Sequence, residues 1–150
     1  MIDRNRMVLL AESAGYTATL FHGTDVEFKK FDSKFMGSST DEGLLGRGVY
    51  FSTDPNVARS SKFVVKAKVR LARPLRVSMT TWGSNKSELV SDALGLSSVK
   101  KGRALTAAAR RQGYDSVILD YSSLGYSHQE VVVFSTKATR ILNVKPFVRS

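Results

Sequence analysis

The stretch FVVKAKVRLARPLRVS, residues 63–78, limits what this chain can fold into more than any other segment. Val65, Ala67, Val69 and Leu71 alternate with Lys66, Lys68 and Arg70. A period of two is the period of a β-strand, so the first set faces a core and the second stands on the opposite face. Side chains on one face recur about every 6–7 Å along a strand, so the three cations form a basic ladder. Pro74 breaks the strand, and a second short strand follows it.

The rest of the chain fits around that sheet. Residues 1–15 hold a short amphipathic helix over 4–14. TATLFHG (17–23) alternates and is rich in β formers, so it reads as a strand. Residues 24–46 carry Gly, Ser, Asp and Lys with isolated Phe28, Phe31 and Phe35, as a long loop held by aromatic plugs would. GVYFS is a strand. TDPNVARSSK opens a helix, with Thr53 or Asp54 as N-cap and Pro55 at the first helical position. Residues 84–94 and 98–112 are expected helices, the second ended by Gly113. YDSVILDY, HQEVVVFS and ATRILNV are further strands. The sum is roughly six strands and three or four short helices, in irregular order. Strict β-α-β alternation is absent, which speaks against a doubly wound parallel sheet and for a mixed α+β domain of two small packed sheets.

Composition narrows the function. A chain of 150 residues with 42% hydrophobic residues fits one domain with one core. No apolar run is long enough to span a bilayer as a helix. The chain has no cysteine, which excludes disulfides and thiolate chemistry, and with only two histidines a metal site is not expected. The formal net charge of +10 favours polyanions as partners. GLLGRG lies before a strand rather than between a strand and a helix, so it is not a phosphate loop of the nucleotide-binding types.

Three polar residues stand where strand interior is expected: His22 in LFHGT, Tyr50 in GVYFS and Glu130 in HQEVVVF. Singly, each has an ordinary structural explanation. Together they describe a site. Gly23 after His22 lets a ligand approach the backbone, whose N–H and C=O can hold an amide. Tyr50 offers a flat ring for stacking. Glu130 offers a charge fixed on a strand. An imidazole, an amide clamp, a ring platform and a carboxylate suit a nicotinamide riboside whose glycosidic bond is to be cleaved.

LFHGT, GLLGRGVYFSTDPNVA, GYDSVI and QEVVVF, taken together over about residues 17–143, resemble the ADP-ribosyltransferase fold. The branch is the His-Tyr-Glu one, which includes diphtheria-toxin-like enzymes and poly(ADP-ribose) polymerases. The resemblance implies a split β-sandwich of two small sheets with short flanking helices, NAD as substrate in the cleft between them, and the 24–46 loop along its border. His22, Gly23, Thr24, Tyr50 and Ser52 would bind NAD, and His22, Tyr50 and Glu130 would be the catalytic set. His22 would bond the adenosine-side ribose, the Gly23 backbone and Ser52 would hold the carboxamide, Tyr50 would stack on nicotinamide, and Glu130 would act on the nicotinamide ribose. Many members carry a second stacking tyrosine about eleven residues beyond the first; here Ser60 or Ser61 stands there, with Phe63 nearby. Arginine-modifying members carry Glu or Gln where His128 stands here, so arginine is disfavoured as acceptor.

The charge then suggests the acceptor. Lys66, Lys68 and Arg70, with Arg110 and Arg111 on the second helix, form a footprint for a phosphate backbone. The expected activity is transfer of a single ADP-ribose to nucleic acid, structured RNA before DNA. A protein acceptor is the first alternative, and a basic RNA-binding module with a decayed NAD site the second. The small self-contained domain also resembles bacterial toxin domains. That implies action in the cytoplasm of a target cell and an acidic antitoxin or immunity protein as partner.

Overall fold

The computed structural model describes residues 17–31, 43–58 and 61–148. The expected N-terminal helix, residues 32–42 of the 24–46 loop with Phe35, and Ser60 lie outside the described residues. Seven strands form one sheet in the order β4-β5-β6-β2-β1-β3-β7. They are β1 (Thr17–Thr24), β2 (Val49–Ser52), β3 (Phe63–Arg70), β4 (Pro74–Ser78), β5 (Ser116–Asp120), β6 (Gln129–Val133) and β7 (Thr139–Pro146). Two helices, α1 (Lys86–Ala93) and α2 (Gly102–Arg111), connect β4 to β5. β4 and β5 are parallel while the other neighbours are antiparallel. A parallel pair needs a crossover, and α1 and α2 supply it.

The α+β class stands, but the expectation of two sheets is corrected: the ladder runs through all seven strands. The joint between its halves is narrow. β1 and β3 pair in register from Thr17–Arg70 to Thr24–Phe63, whereas β1 and β2 share the single register pair Phe21–Ser52. One pair suffices for continuity and lets the sheet fold over at the joint. Consequently residues of both halves meet in one core. Val49, Phe51, Ile118, Val131 and Val133 pack with Ala18, Leu20, Val65, Ala67 and Val69. The other face of β4-β5-β6-β2 has a second core, where Val77, Val117, Leu119 and Val132 meet Val90 of α1 and Leu105 and Ala109 of α2.

The segment after β2 departs from expectation. Pro55–Ala58 is a single 3-10 turn rather than the start of a longer helix. Of the two N-cap candidates Asp54 is used: its carboxylate accepts from Asn56 N–H at 2.9 Å, while its own N–H donates to the Ser52 hydroxyl at 3.0 Å. The remaining boundaries move by one to four residues, mostly inward, while the first strand runs on to Thr24 and the last to Pro146.

Two glycines of GRGVYF have identifiable tasks. Gly46 has φ +111°, a backbone region that side chains disfavour. Gly48 runs so close to β6 that a Cβ there would collide with the Val133 carbonyl. The segment is also latched to α2. The Arg47 N–H donates to the Thr106 hydroxyl at 2.7 Å, and that hydroxyl donates to the Arg47 carbonyl at 2.9 Å.

Candidate active site

Residues directly opposite on neighbouring strands share a face. The register therefore draws a row across the sheet: Leu119, Glu130, Ser52, Phe21, Lys66, Asn143. Tyr50 lies on the same face, two residues from Ser52 and opposite Val132. The structure thus brings Tyr50, Ser52 and Glu130 together. Val49 and Phe51 turn the other way into the first core, as strand alternation predicts.

Tyr50 is half buried, and its hydroxyl is fully used. It donates to the Gly46 carbonyl at 2.6 Å and accepts from Leu45 N–H at 3.0 Å. These bonds fix the ring's position and leave its face, not its hydroxyl, as the part that can meet a ligand.

His22 reaches the site from another direction. It shares the inner face of β1 with Ala18 and Leu20, and its ring is met edge-on by Phe28, Phe31 and Phe51. Its Nδ1 lies 2.6 Å from the Tyr50 carbonyl. A carbonyl only accepts, so Nδ1 carries the proton and Nε2 is left as an acceptor. Burial pushes the pKa of His22 down, against the bond to Tyr50, so the ring is neutral. Joined through the main chain of Tyr50, the two side chains do not share a face.

Gly23 and Thr24 continue β1 beyond the joint. β2 leaves β1 after the Phe21–Ser52 pair, so this stretch has no strand partner on that side among the described residues. Such an edge can hold an amide. The Thr24 hydroxyl bonds within its own turn, to Val26 at 3.2 Å. Phe63, opposite Thr24, shares the face on which His22 lies, and Ser61 is half buried.

Sequence reasoning missed what holds Glu130. Lys86 Nζ donates to both carboxylate oxygens, at 2.9 and 3.2 Å. Burial opposes the charge on Lys86, but the attraction and hydrogen bond of Glu130, with a further interaction with Tyr121, hold its pKa above the usual lysine value. Burial and the negative Glu130 raise the Tyr121 hydroxyl, with Lys86 opposing. The only hint in the sequence is a cation in the first turn of α1, where the helix dipole disfavours one. On the opposite face of β6, Gln129 is fully buried, and neither end of its amide has a partner among the described residues.

The basic residues separate into two groups. Lys66 and Arg70 are exposed and Lys68 half buried on the outer face of β3, where Arg140 of β7 stands opposite Lys68. This ladder shares the row and face of Glu130, three strands away across the β1–β2 joint. Arg110 and Arg111 are on α2 and do not join it. Arg110 donates to the Phe134 carbonyl at 2.9 Å and helps line a hollow of about 220 Å³ with Arg47, Arg103 and Thr106. No cluster of side chains able to hold a metal ion occurs among the described residues.

A carboxylate fixed on a strand, beside a pinned aromatic ring and an unpaired strand edge, can offset positive charge developing in a bound sugar. Residues 12–140 match the family described as ADP-ribosyltransferase in polyvalent proteins, so the chain belongs to that family and is an NAD-dependent transferase domain. No curated protein matches the sequence. Among solved structures the chain is similar to an anti-CRISPR protein at 16% identity and TM-score 0.44, covering 87% of this chain and 96% of that one. It is also similar, at 12% identity and TM-score 0.48, to a chain of the M. tuberculosis MbcT-MbcA toxin-antitoxin complex, covering 89% and 86%.

Proposed function

We propose that this domain transfers one ADP-ribose from NAD to a nucleic-acid acceptor, with RNA the first candidate. The observation that carries the acceptor choice is the shared face. The Glu130 carboxylate and the Lys66-Lys68-Arg70-Arg140 ladder stand on the same face of one continuous sheet, on either side of the β1–β2 joint, so a strand that follows that face meets both.

NAD fits the residues present. The Gly23 edge and the buried Ser52 hydroxyl take the carboxamide, the Tyr50 ring meets nicotinamide, and His22 Nε2 accepts from a ribose hydroxyl of the adenosine half. Glu130 accepts a hydroxyl of the nicotinamide ribose. As the C1′–N bond breaks, its electron pair goes to nicotinamide and positive charge spreads over C1′ and the ring oxygen. Glu130 offsets that charge. A lone pair of the acceptor forms the new bond to C1′, and the acceptor's proton passes to solvent. Lys86 acts through Glu130 as a positioning residue, holding the carboxylate in one rotamer until ribose arrives.

The test uses labelled NAD with separate RNA and protein acceptors. Label is expected in nuclease-sensitive product, falling about 100- to 1,000-fold in Glu130→Gln. Label that resists nuclease and yields to protease would overturn the nucleic-acid acceptor in favour of a protein. Absence of NAD turnover would leave a basic binding module. We also read the domain as a toxin acting in the cytoplasm of a target cell, held in check by an acidic antitoxin drawn by the +10 charge. Growth arrest by the wild type, absent with Glu130→Gln, tests that.

A further inference from the structure

Two turns flank the Lys86–Glu130 pair, and both carry aromatic rings. Trp82, the one tryptophan of the chain, sits in the turn before α1 and is 60% exposed. Tyr126 and His128 sit in the turn before β6, and Tyr126 is 49% exposed. Buried Tyr121 joins them. Trp82 tilts 32° to it at 6.1 Å, and His128 stacks on it at 4.6 Å and 24°. Tyr126 stands edge-on to both outer rings, at 77° to Trp82 and 71° to His128.

Each turn is stiffened by its own hydrogen bonds. The Ser84 hydroxyl donates to the Thr81 carbonyl at 2.7 Å, and the Tyr126 N–H donates to the Tyr121 carbonyl at 3.3 Å. The cluster also reaches towards the carboxylate: Tyr121 interacts with Lys86, which donates to Glu130. Two large rings shown to water at 77° to one another, in the turns that lead into α1 and β6, form an aromatic corner built in advance. Flat rings with polar edges select a flat partner, and the positive field of the whole chain selects an anionic one. An unpaired base on a polyanionic strand has both properties, whereas an acidic peptide has only the charge.

We propose that the exposed ring of Trp82 stacks an unpaired nucleobase of the acceptor strand, with Tyr126 as the wall beside it and His128 behind, and so presents that strand to Glu130. The acceptor is then single-stranded nucleic acid, or a loop, rather than a duplex, whose bases are already stacked. The proposal rests on the reading of Glu130 above and specifies its substrate.

Trp82 is its own reporter. With the Glu130→Gln chain, whose turnover of NAD is expected to be about 100- to 1,000-fold lower, single-stranded oligoribonucleotides are expected to quench its emission. A duplex of the same sequence, polyglutamate, and NAD alone are expected not to. Tyr126→Ala weakens single-strand binding about tenfold without changing the salt slope, because stacking releases no counterions. Trp82→Ala in the active chain lowers labelling of single strands by a similar factor, while Trp82→Phe restores most of it. Circular dichroism of each variant confirms folding. Quenching by NAD alone or equally by duplex, or labelling of nucleic acid indifferent to Trp82→Ala and Tyr126→Ala, would overturn the proposal. That last result would leave the transferase reading intact, whereas loss of all NAD turnover in the wild type would remove both.

Discussion

The two halves of one sheet face meet opposite fates. Over β4-β5-β6-β2 the face is covered by α1 and α2, and its residues are Val77, Val117, Leu119 and Val132. Over β1-β3-β7 the same face carries Lys66, Lys68, Arg70 and Arg140, with no helix packed against it among the described residues. Tyr50, Ser52 and Glu130 stand along the boundary. Charges at such a seam are stronger than in open water, because one side is apolar, yet an acceptor can still approach from the other. The narrow β1–β2 joint and the candidate site coincide for the same reason: where pairing stops, backbone and side chains become available to a ligand.

The comparison is broken most severely from the covered half. Gly48→Ala forces a methyl group into the Val133 carbonyl and should cost about 2–3 kcal/mol in urea unfolding, since backbone cannot yield cheaply. An unchanged midpoint would mean that β2 and β6 are not held this closely. On the bare half, Lys66→Gln with Lys68→Gln should leave NAD cleavage unchanged. Affinity for RNA should fall about tenfold or more, and the salt slope should flatten by nearly two charges. The same double change should not lower thermal stability, because it relieves the like-charge pair of Lys68 and Arg140.

Two smaller effects sharpen the picture at the seam and beneath it. Gln129 buries an amide with no partner among the described residues, so Gln129→Leu should raise stability by about 1 kcal/mol if the amide does nothing in the apo protein. A simultaneous rise in the KM for NAD would show that the amide meets the substrate. His22 is neutral when folded and titrates near pH 6.5 when unfolded. Below that pH the unfolded chain takes up the proton first, so stability should fall as pH drops through about 6.5 towards the lowered folded value and stay level above it. His22→Asn should remove that part of the slope in urea midpoints measured against pH.

Much of this was legible in advance. Alternation marked Val65, Ala67 and Val69 as core and the lysines between them as surface. Pro74, Gly113 and the short apolar runs located β4, the end of α2 and the strands of the core, because these signals act within a few residues. The sequence also placed His22, Tyr50 and Glu130 in strands. It overcounted helix after Pro55, where good N-terminal signals precede only one 3-10 turn. Helix start signals do not guarantee propagation, which tertiary packing decides.

What the linear order determined on its own is local: strand periods, turn residues, the absence of cysteine and the positive charge. Pairing across the fold decided the rest. Lys86 and Glu130 are 44 residues apart, and no local rule links them. Trp82 and His128 belong to one ring cluster only because β4, β5 and β6 are neighbours. That Glu130 and Lys66 share a face depends on three successive strand registers, and a slip of one residue in any of them would reverse it.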